Sequence, residues 1–241
     1  MPGRSLSCVP DVAFKDLCID VTAGRDRPAA VARFWAAALG LETSGAGGED
    51  SKLSPPPGGA EERTIWVNAV PEEIAAKSRV HLDVYQPGGD PAALLAAGAT
   101  LVRSADAVRS WHVLEDPDGV ALCVFPGAAA GVYELVVDAA DAGGLAAWWA
   151  ERTGATVHHH PVRPFVWLEG AAGFPYERWE FNPVPEPKAH KNRIHWDVTL
   201  VDADVDALVA AGATLLREPA PDGRWWILAD PEGNEFCAFE P

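Results

Sequence analysis

The chain repeats itself. Residues 67–125 read VNAVPEEIAAKSRVHLDVYQ, then AAGATLVR, then SWHVLEDPDGVALCVF; residues 181–239 read FNPVPEPKAHKNRIHWDVTL, then AAGATLLR, then RWWILADPEGNEFCAF. His81 and His195, Gly98 and Gly212, Trp111 and Trp225, and Cys123 and Cys237 all stand 114 residues apart. The register reaches upstream to Trp35 and Trp149, with Gly40 and Gly154, and breaks before them because the first copy carries extra residues near Arg25 to Pro28. A period of about 115 residues is a domain by itself rather than a solenoid unit, so any fold for this chain is one that it builds twice. The join falls in the small-residue run Pro-Gly-Ala-Ala-Ala-Gly at 126–131, which sets domains at 1–126 and 131–241.

Within each copy the elements alternate. Residues 17–21 and 135–139 read as strands. Residues 29–39 and 144–152 read as Ala-rich helices carrying Phe34, Trp35, Trp148 and Trp149, with Gly40 and Gly154 as C-caps. Short strands follow, ending at 66–70 and 179–182, then a Val-Pro-Glu turn, strands at 80–85 and 194–200, and second helices at 91–97 and 204–211. Asp116-Pro117-Asp118-Gly119 and Asp230-Pro231-Glu232-Gly233 have Pro second and Gly fourth, as hairpin turns do. Each copy is thus two strand–helix–strands modules in series, an α+β pattern.

Composition narrows the partners. The 241 residues, 48% hydrophobic and 22% charged, are ordinary for a folded domain pair. A net charge of −16, from 19 basic and 35 acidic residues, argues against nucleic acid and against an anionic membrane surface. No apolar run reaches the roughly 18 residues of a membrane span, and residues 1–12 hold no signal-peptide core. The expected location is the cytoplasm, with Cys8, Cys18, Cys123 and Cys237 as reduced thiols.

Strand alternation then sorts the side chains. Val80, Leu82 and Val84 should pack under helices, leaving His81, Asp83 and Tyr85 on the opposite face; in the second copy His195, Asp197 and Thr199 oppose Ile194, Trp196 and Val198. Cys123 shares a face with Ala121 and Phe125, and Cys237 with Glu235 and Phe239. A His and a Cys recurring on the helix-free face of both copies favour a cavity.

The strand [RK]-[VI]-H-[LW]-D-V, the helix ending A-A-G-A-T and the closing strand D-P-[DE]-G-x-x-x-C resemble the vicinal-oxygen-chelate superfamily, which includes glyoxalase I, bleomycin-resistance proteins and extradiol dioxygenases. The run V-P-E-x-K-x-x-K-N-R-[VI]-H is similar to actinobacterial glyoxalase-like domains. The resemblance covers nearly the whole chain twice. It implies four βαβββ modules paired into two half-open barrels, one per tandem domain, each with a central cleft. It also implies metal positions: Asp16, Asn68, His81 and Cys123 in the first domain, Glu134, Asn182, His195 and Cys237 in the second. Only the His of the superfamily's usual set is kept, and the closing carboxylate is Cys in both copies. These departures predict no resident cofactor, with zinc the divalent ion that such mixed donors suit.

Other candidates surround this core. Asp83 and Asp197 are placed to orient the imidazoles or act as bases, with His81 and His195 as the catalytic histidines. Trp66, Trp111, Trp167, Trp179, Trp225 and Tyr85 are the candidate ligand-stacking residues among ten tryptophans and three tyrosines. His158-His159-His160 point to alternating faces and make no chelate. The Gly-, Ser- and Pro-rich run 45–59 reads as a loop at the cleft mouth. Three functions follow: binding of a small organic molecule without the usual metal set, a metal-dependent lyase, isomerase or dioxygenase, or a non-catalytic structural or regulatory module. The partner expected is a small organic molecule, and the chain is expected to be a monomer or a homodimer. Trp66 against Glu180 and His112 against Trp226 predict that the two clefts differ.

Overall fold

A computed structural model describes residues 9–24, 26–44, 50–58, 63–73, 76–221 and 223–241. The first module comprises β1 (Val12–Thr22), α1 (Arg27–Leu39), β2 (Glu42–Ser44), β3 (Ser51–Ser54) and β4 (Ile65–Val70). The second has β5 (Val80–Pro87), α2 (Ala92–Ala96), β6 (Thr100–Arg103), β7 (His112–Glu115) and β8 (Ala121–Gly127). The third has β9 (Gly131–Ala139), α3 (Ala142–Thr153), β10 (Thr156–His159), β11 (Val166–Glu169) and β12 (Arg178–Pro183). The fourth has β13 (Ile194–Leu200), α4 (Val205–Ala210), β14 (Thr214–Arg217), β15 (Trp226–Ala229) and β16 (Glu235–Phe239). Part of the run read as a loop is the strand Ser51–Ser54; residues 45–49 and 59, like Cys8, lie outside the described residues. Among the described residues no helix is long and apolar enough to cross a membrane.

The fold is α+β, and the four modules form two eight-stranded sheets. The partners are exchanged between repeats. One sheet runs β14-β15-β16-β13-β1-β4-β3-β2, joining the fourth module to the first; the other runs β10-β11-β12-β9-β5-β8-β7-β6, joining the third to the second. The expectation that each repeat pairs its own two modules is therefore corrected. The seams are antiparallel: β1 on β13, with Cys18 opposite His195, and β5 on β9, with His81 opposite Val136. The chain after β11 is also pressed on β1. The Phe14 amide donates to the Ala172 carbonyl at 2.7 Å, and a Cβ on Gly173 (φ +74°) would stand 2.2 Å from the Phe14 carbonyl oxygen.

The helix-facing side of the sheets is the core. Val80, Leu82, Val84, Ile194, Trp196 and Val198 are all fully buried, as alternation requires. Trp149 on α3 packs 5.0 Å from Trp179 and 5.3 Å from Trp196. Trp35 and Trp149 each donate their indole N–H to the carboxylate that opens a hairpin turn 81 residues later, Asp116 at 2.8 Å and Asp230 at 3.2 Å. These bonds run within a repeat, whereas the sheets run between repeats. Both large helices end on glycines in the left-handed region, Gly40 and Gly154, as their C-cap role demands.

This exchange has a direct consequence. Fragments 1–126 and 131–241, made separately, each hold one half of each sheet and leave β1, β5, β9 and β13 without their seam partners. Neither should be a stable monomer, and mixing them should give a one-to-one complex with native circular dichroism. Light scattering on the fragments and their mixture checks this; two stable monomers that ignore each other would contradict the pairing.

Candidate functional site

The helix-free face of the first sheet frames a cleft of about 590 Å³. Strand alternation places Cys18 and Asp20 of β1 there, beside Trp66 and Asn68 of β4, His195 and Asp197 of β13, and Cys237 and Phe239 of β16. A bulge in β1 between Phe14 and Asp16 leaves Lys15 as the extra residue, and Lys15 also lines the cleft. Aromatic walls stand above: Trp225 stacks on Phe239 at 5.6 Å, Arg217 lies 5.3 Å over Trp225, Lys15 4.6 Å over Phe239 and Lys52 5.7 Å over Trp66.

At the floor, His195 lies between two carboxylates. Its Nδ1 is 3.8 Å from Asp20 and its Nε2 is 4.0 Å from Asp197. Lys191 holds Asp20, and Lys15 holds Asp16. Cys18, His195 and Asp197 bring one ligand atom each within 4.8 Å of the others. Burial, with the Asp197 charge next in weight, pushes both the Cys18 and the Cys237 thiols up, so each stays protonated at neutral pH unless a cation displaces the proton. Burial also raises Asp197, against the lowering effect of His195. The Asp197 Oδ1 is sealed from solvent and has no hydrogen-bond partner among the described residues. An orphaned buried acceptor costs about 1–3 kcal/mol or more.

The second sheet carries the matching face with other chemistry. His81 Nε2 is 3.4 Å from Asp83, and Cys123 completes a group within 4.8 Å. Pairing registers align Asp16 with Glu134, Cys18 with Val136 and Asp20 with Asp138, four residues beyond the 114 spacing because of the extra segment in the first copy. Glu180 stands where the first sheet has Trp66, and Arg178 where it has Thr64. Arg178 bonds Glu134 at 3.1 Å and Tyr133 at 3.2 Å, and lies 4.8 Å over Trp167. Tyr85 stacks on Tyr133 at 4.4 Å and Trp111 on Phe125 at 5.2 Å. Burial, and then the neighbouring carboxylates, push Glu134 up to about 7 and Glu180 up to about 8.

The predicted ligand sets are redistributed by the exchange. Asp16 and Asn68 share a sheet with His195 and Cys237, while Glu134 and Asn182 share one with His81 and Cys123. An oxygen-rich metal set does not fit these residues: Asp16 is engaged by Lys15, Glu134 by Arg178, and the closing position is a buried thiol. The donors that do gather, imidazole, carboxylate and thiol, are the types that zinc accepts. Of the aromatic candidates, Trp66 and Trp225 line the first cleft, Tyr85 and Trp167 lie on strands of the second sheet, and Trp111, just before β7, stacks on Phe125 of β8. Trp179 is a correction. It is fully buried in the core against Trp149, Trp196 and Phe174, because alternation along β12 turns Glu180 to the opposite face. His158 stacks on Trp167, and His160 packs tilted against Phe165, so the two have separate partners. Cys18, Asp20, Lys191 and Arg178 were missed. Counting by twos from Asp16 would have found the first two.

Glu134 and Glu180 bind protons more tightly in the folded chain than in the unfolded one. Their contribution to stability is full below about pH 4.5 and is lost as pH rises through about 7 and about 8. Glu180→Gln, which stays neutral, should flatten that decline in urea-denaturation stability measured from pH 5 to pH 8.5. An unchanged slope would mean that Glu180 titrates normally.

The family model described as glyoxalase-like domain matches residues 16–125 and again 134–239. No curated protein sequence matches the chain. Glyoxalase I from Zea mays has a similar fold, with a TM-score of 0.61 at 13% identity over 95% of this chain and 92% of that one. A putative dioxygenase from Bacillus subtilis subsp. subtilis str. 168 gives 0.59 at 13% identity over 97% and 86%. Matched in both repeats and folded as its sequence pattern requires, the chain belongs to the glyoxalase-like domain family, within the vicinal-oxygen-chelate superfamily.

Proposed function

We propose that the cleft of the first sheet binds a small organic molecule, and that binding or sequestration is the work of the chain. The observation that carries this reading is the cleft itself: about 590 Å³, walled by Trp66, Trp225 and Phe239 over a polar floor of His195, Asp20 and Asn68. A volume of this size suits a drug-sized or metabolite-sized ligand. Two of the lining cations, Lys15 and Lys191, already face carboxylates. The chemistry favours a flat apolar body that stacks on the tryptophans and a neutral polar group that reaches the floor. Such a cleft is not that of a purely structural module, whose side chains would fill it.

A second reading is a lyase, isomerase or dioxygenase that uses the His81 or His195 site. It is favoured by the two imidazole–carboxylate–thiol groups, in which Asp83 and Asp197 stand beside the histidines. His195, with a carboxylate at each ring nitrogen, is placed to take a proton from a bound molecule. In either reading one chain supplies all four modules, so a monomer is sufficient, and the cytoplasm is the proposed location.

Binding is tested with a library of aromatic small molecules, followed by displacement of an environment-sensitive dye such as anilinonaphthalene sulfonate. Trp225→Ala and Trp66→Ala should each weaken a hit about 10-fold, as loss of one stacking face does, while Trp179→Phe leaves affinity unchanged. Retained affinity in both cleft variants would overturn the proposal. The clefts should also be unequal: calorimetry showing two identical, independent sites would contradict the substitution of Glu180 for Trp66.

A further inference from the structure

The floor of the first cleft contains more than a ligand-binding surface needs. A carboxylate oxygen, Asp197 Oδ1, is buried without a partner on a side chain only 7% exposed. The Cys18 sulfur and the His195 imidazole approach that carboxylate within 4.8 Å. Buried acceptors are almost always satisfied, and the groups beside this one are the Cys18 and Cys237 thiols, weak donors when protonated, and the His195 imidazole, 4.0 Å away; all are good ligands for a cation.

His195 is oriented for that cation. Its Nδ1 faces Asp20, which Lys191 anchors, and this leaves Nε2 directed at Asp197. A carboxylate behind an imidazole is the usual support for a metal-binding histidine, because it holds the ring and raises its basicity. The second sheet repeats part of this arrangement: Asp138, held by Lys77, stands at the Asp20 position, and Asp83 Oδ1 is likewise buried without a partner among the described residues. It differs in that Val136 replaces Cys18 and His81 Nδ1 has no partner among the described residues.

We propose that Cys18 Sγ, His195 Nε2 and Asp197 bind one thiophilic divalent cation, of which zinc best matches a mixed sulfur, nitrogen and oxygen set. The site uses a first-strand thiol in place of the closing-strand position Cys237, which the superfamily resemblance implied. On binding, the Cys18 proton passes to solvent as the sulfur–metal bond forms, and the imidazole and carboxylate replace two waters of the ion. Three protein donors leave a fourth position open to the cleft. The inference is separate from the organic-ligand reading, since the ion is measured with no organic molecule present.

The test is titration of the full chain, stripped of metal, with Co(II) and Cd(II). The readouts are sulfur-to-metal charge-transfer absorption, the ligand-field bands of cobalt, and stoichiometry by elemental analysis. We expect one equivalent in a tetrahedral site with thiolate absorption, retained in Cys8→Ala, Cys123→Ala and Cys237→Ala. Cys18→Val copies the residue of the matched strand; it should lose the thiolate band and bind zinc at least about 100-fold more weakly in chelator competition. Cys18→Ser, nearly the same shape, should lose the band as well and guards against misfolding of the valine variant. Asp20→Asn should weaken zinc by about 10–100-fold, as loss of an outer-shell partner does. A band that survives both Cys18 variants, a band lost in Cys237→Ala, or no cobalt or cadmium bound at one equivalent would overturn the proposal.

Discussion

The two antiparallel seams, β1 on β13 and β5 on β9, are the interactions on which the rest depends. They join modules that belong to different repeats, and they set Cys18 opposite His195 and Asp16 opposite Asp197. The candidate site of the first sheet straddles one seam, with Cys18 and Asp20 on one side and His195 and Asp197 on the other. A one-residue slip at that seam would turn each strand's polar set into the core, so the buried apolar faces on both sides hold the register. The site's geometry is thus guarded by the core behind it.

A second set of contacts runs the other way. The indoles of Trp35 and Trp149 reach the hairpin carboxylates Asp116 and Asp230, each bond closing a single repeat. Asp230 also accepts from the amides of Glu232 and Asn234. Burial raises Asp230 to about 6, and these donors oppose the rise. Modules are therefore bound to one neighbour through the helix side and to another through the sheet. That cross-bracing makes the tandem chain one folding problem rather than two, with long-range pairing expected to slow its folding.

On this shared frame the two clefts have diverged at a few matched positions. Cys18, Trp66, Thr64 and Lys15 in one sheet are Val136, Glu180, Arg178 and Tyr133 in the other. The first gains a thiol and an aromatic wall. The second gains a buried acid pair with an arginine laid over it. Identical backbone pairing carries unlike chemistry, because side chains on the helix-free face are not needed to fill the core.

Much of this was legible without coordinates. The repeat spacing determined the number of units; period-two alternation determined that His81, Asp83, His195 and Asp197 leave the core; the Pro and Gly of the hairpin turns and the C-cap glycines determined where elements end. Alternation misled only where its phase was not applied, as at Trp179, whose neighbour Glu180 takes the open face. Which strands pair was decided by the tertiary structure alone. The first copy's β1 finds β13 rather than β5, and no local pattern states this, because either partner would bury the same apolar face. That choice moved Asp16 and Asn68 to His195, brought Cys18 to the imidazole, and left Asp197 with a buried oxygen to satisfy. Residue periodicity is a property of single strands, whereas a site at a seam is a property of the pair.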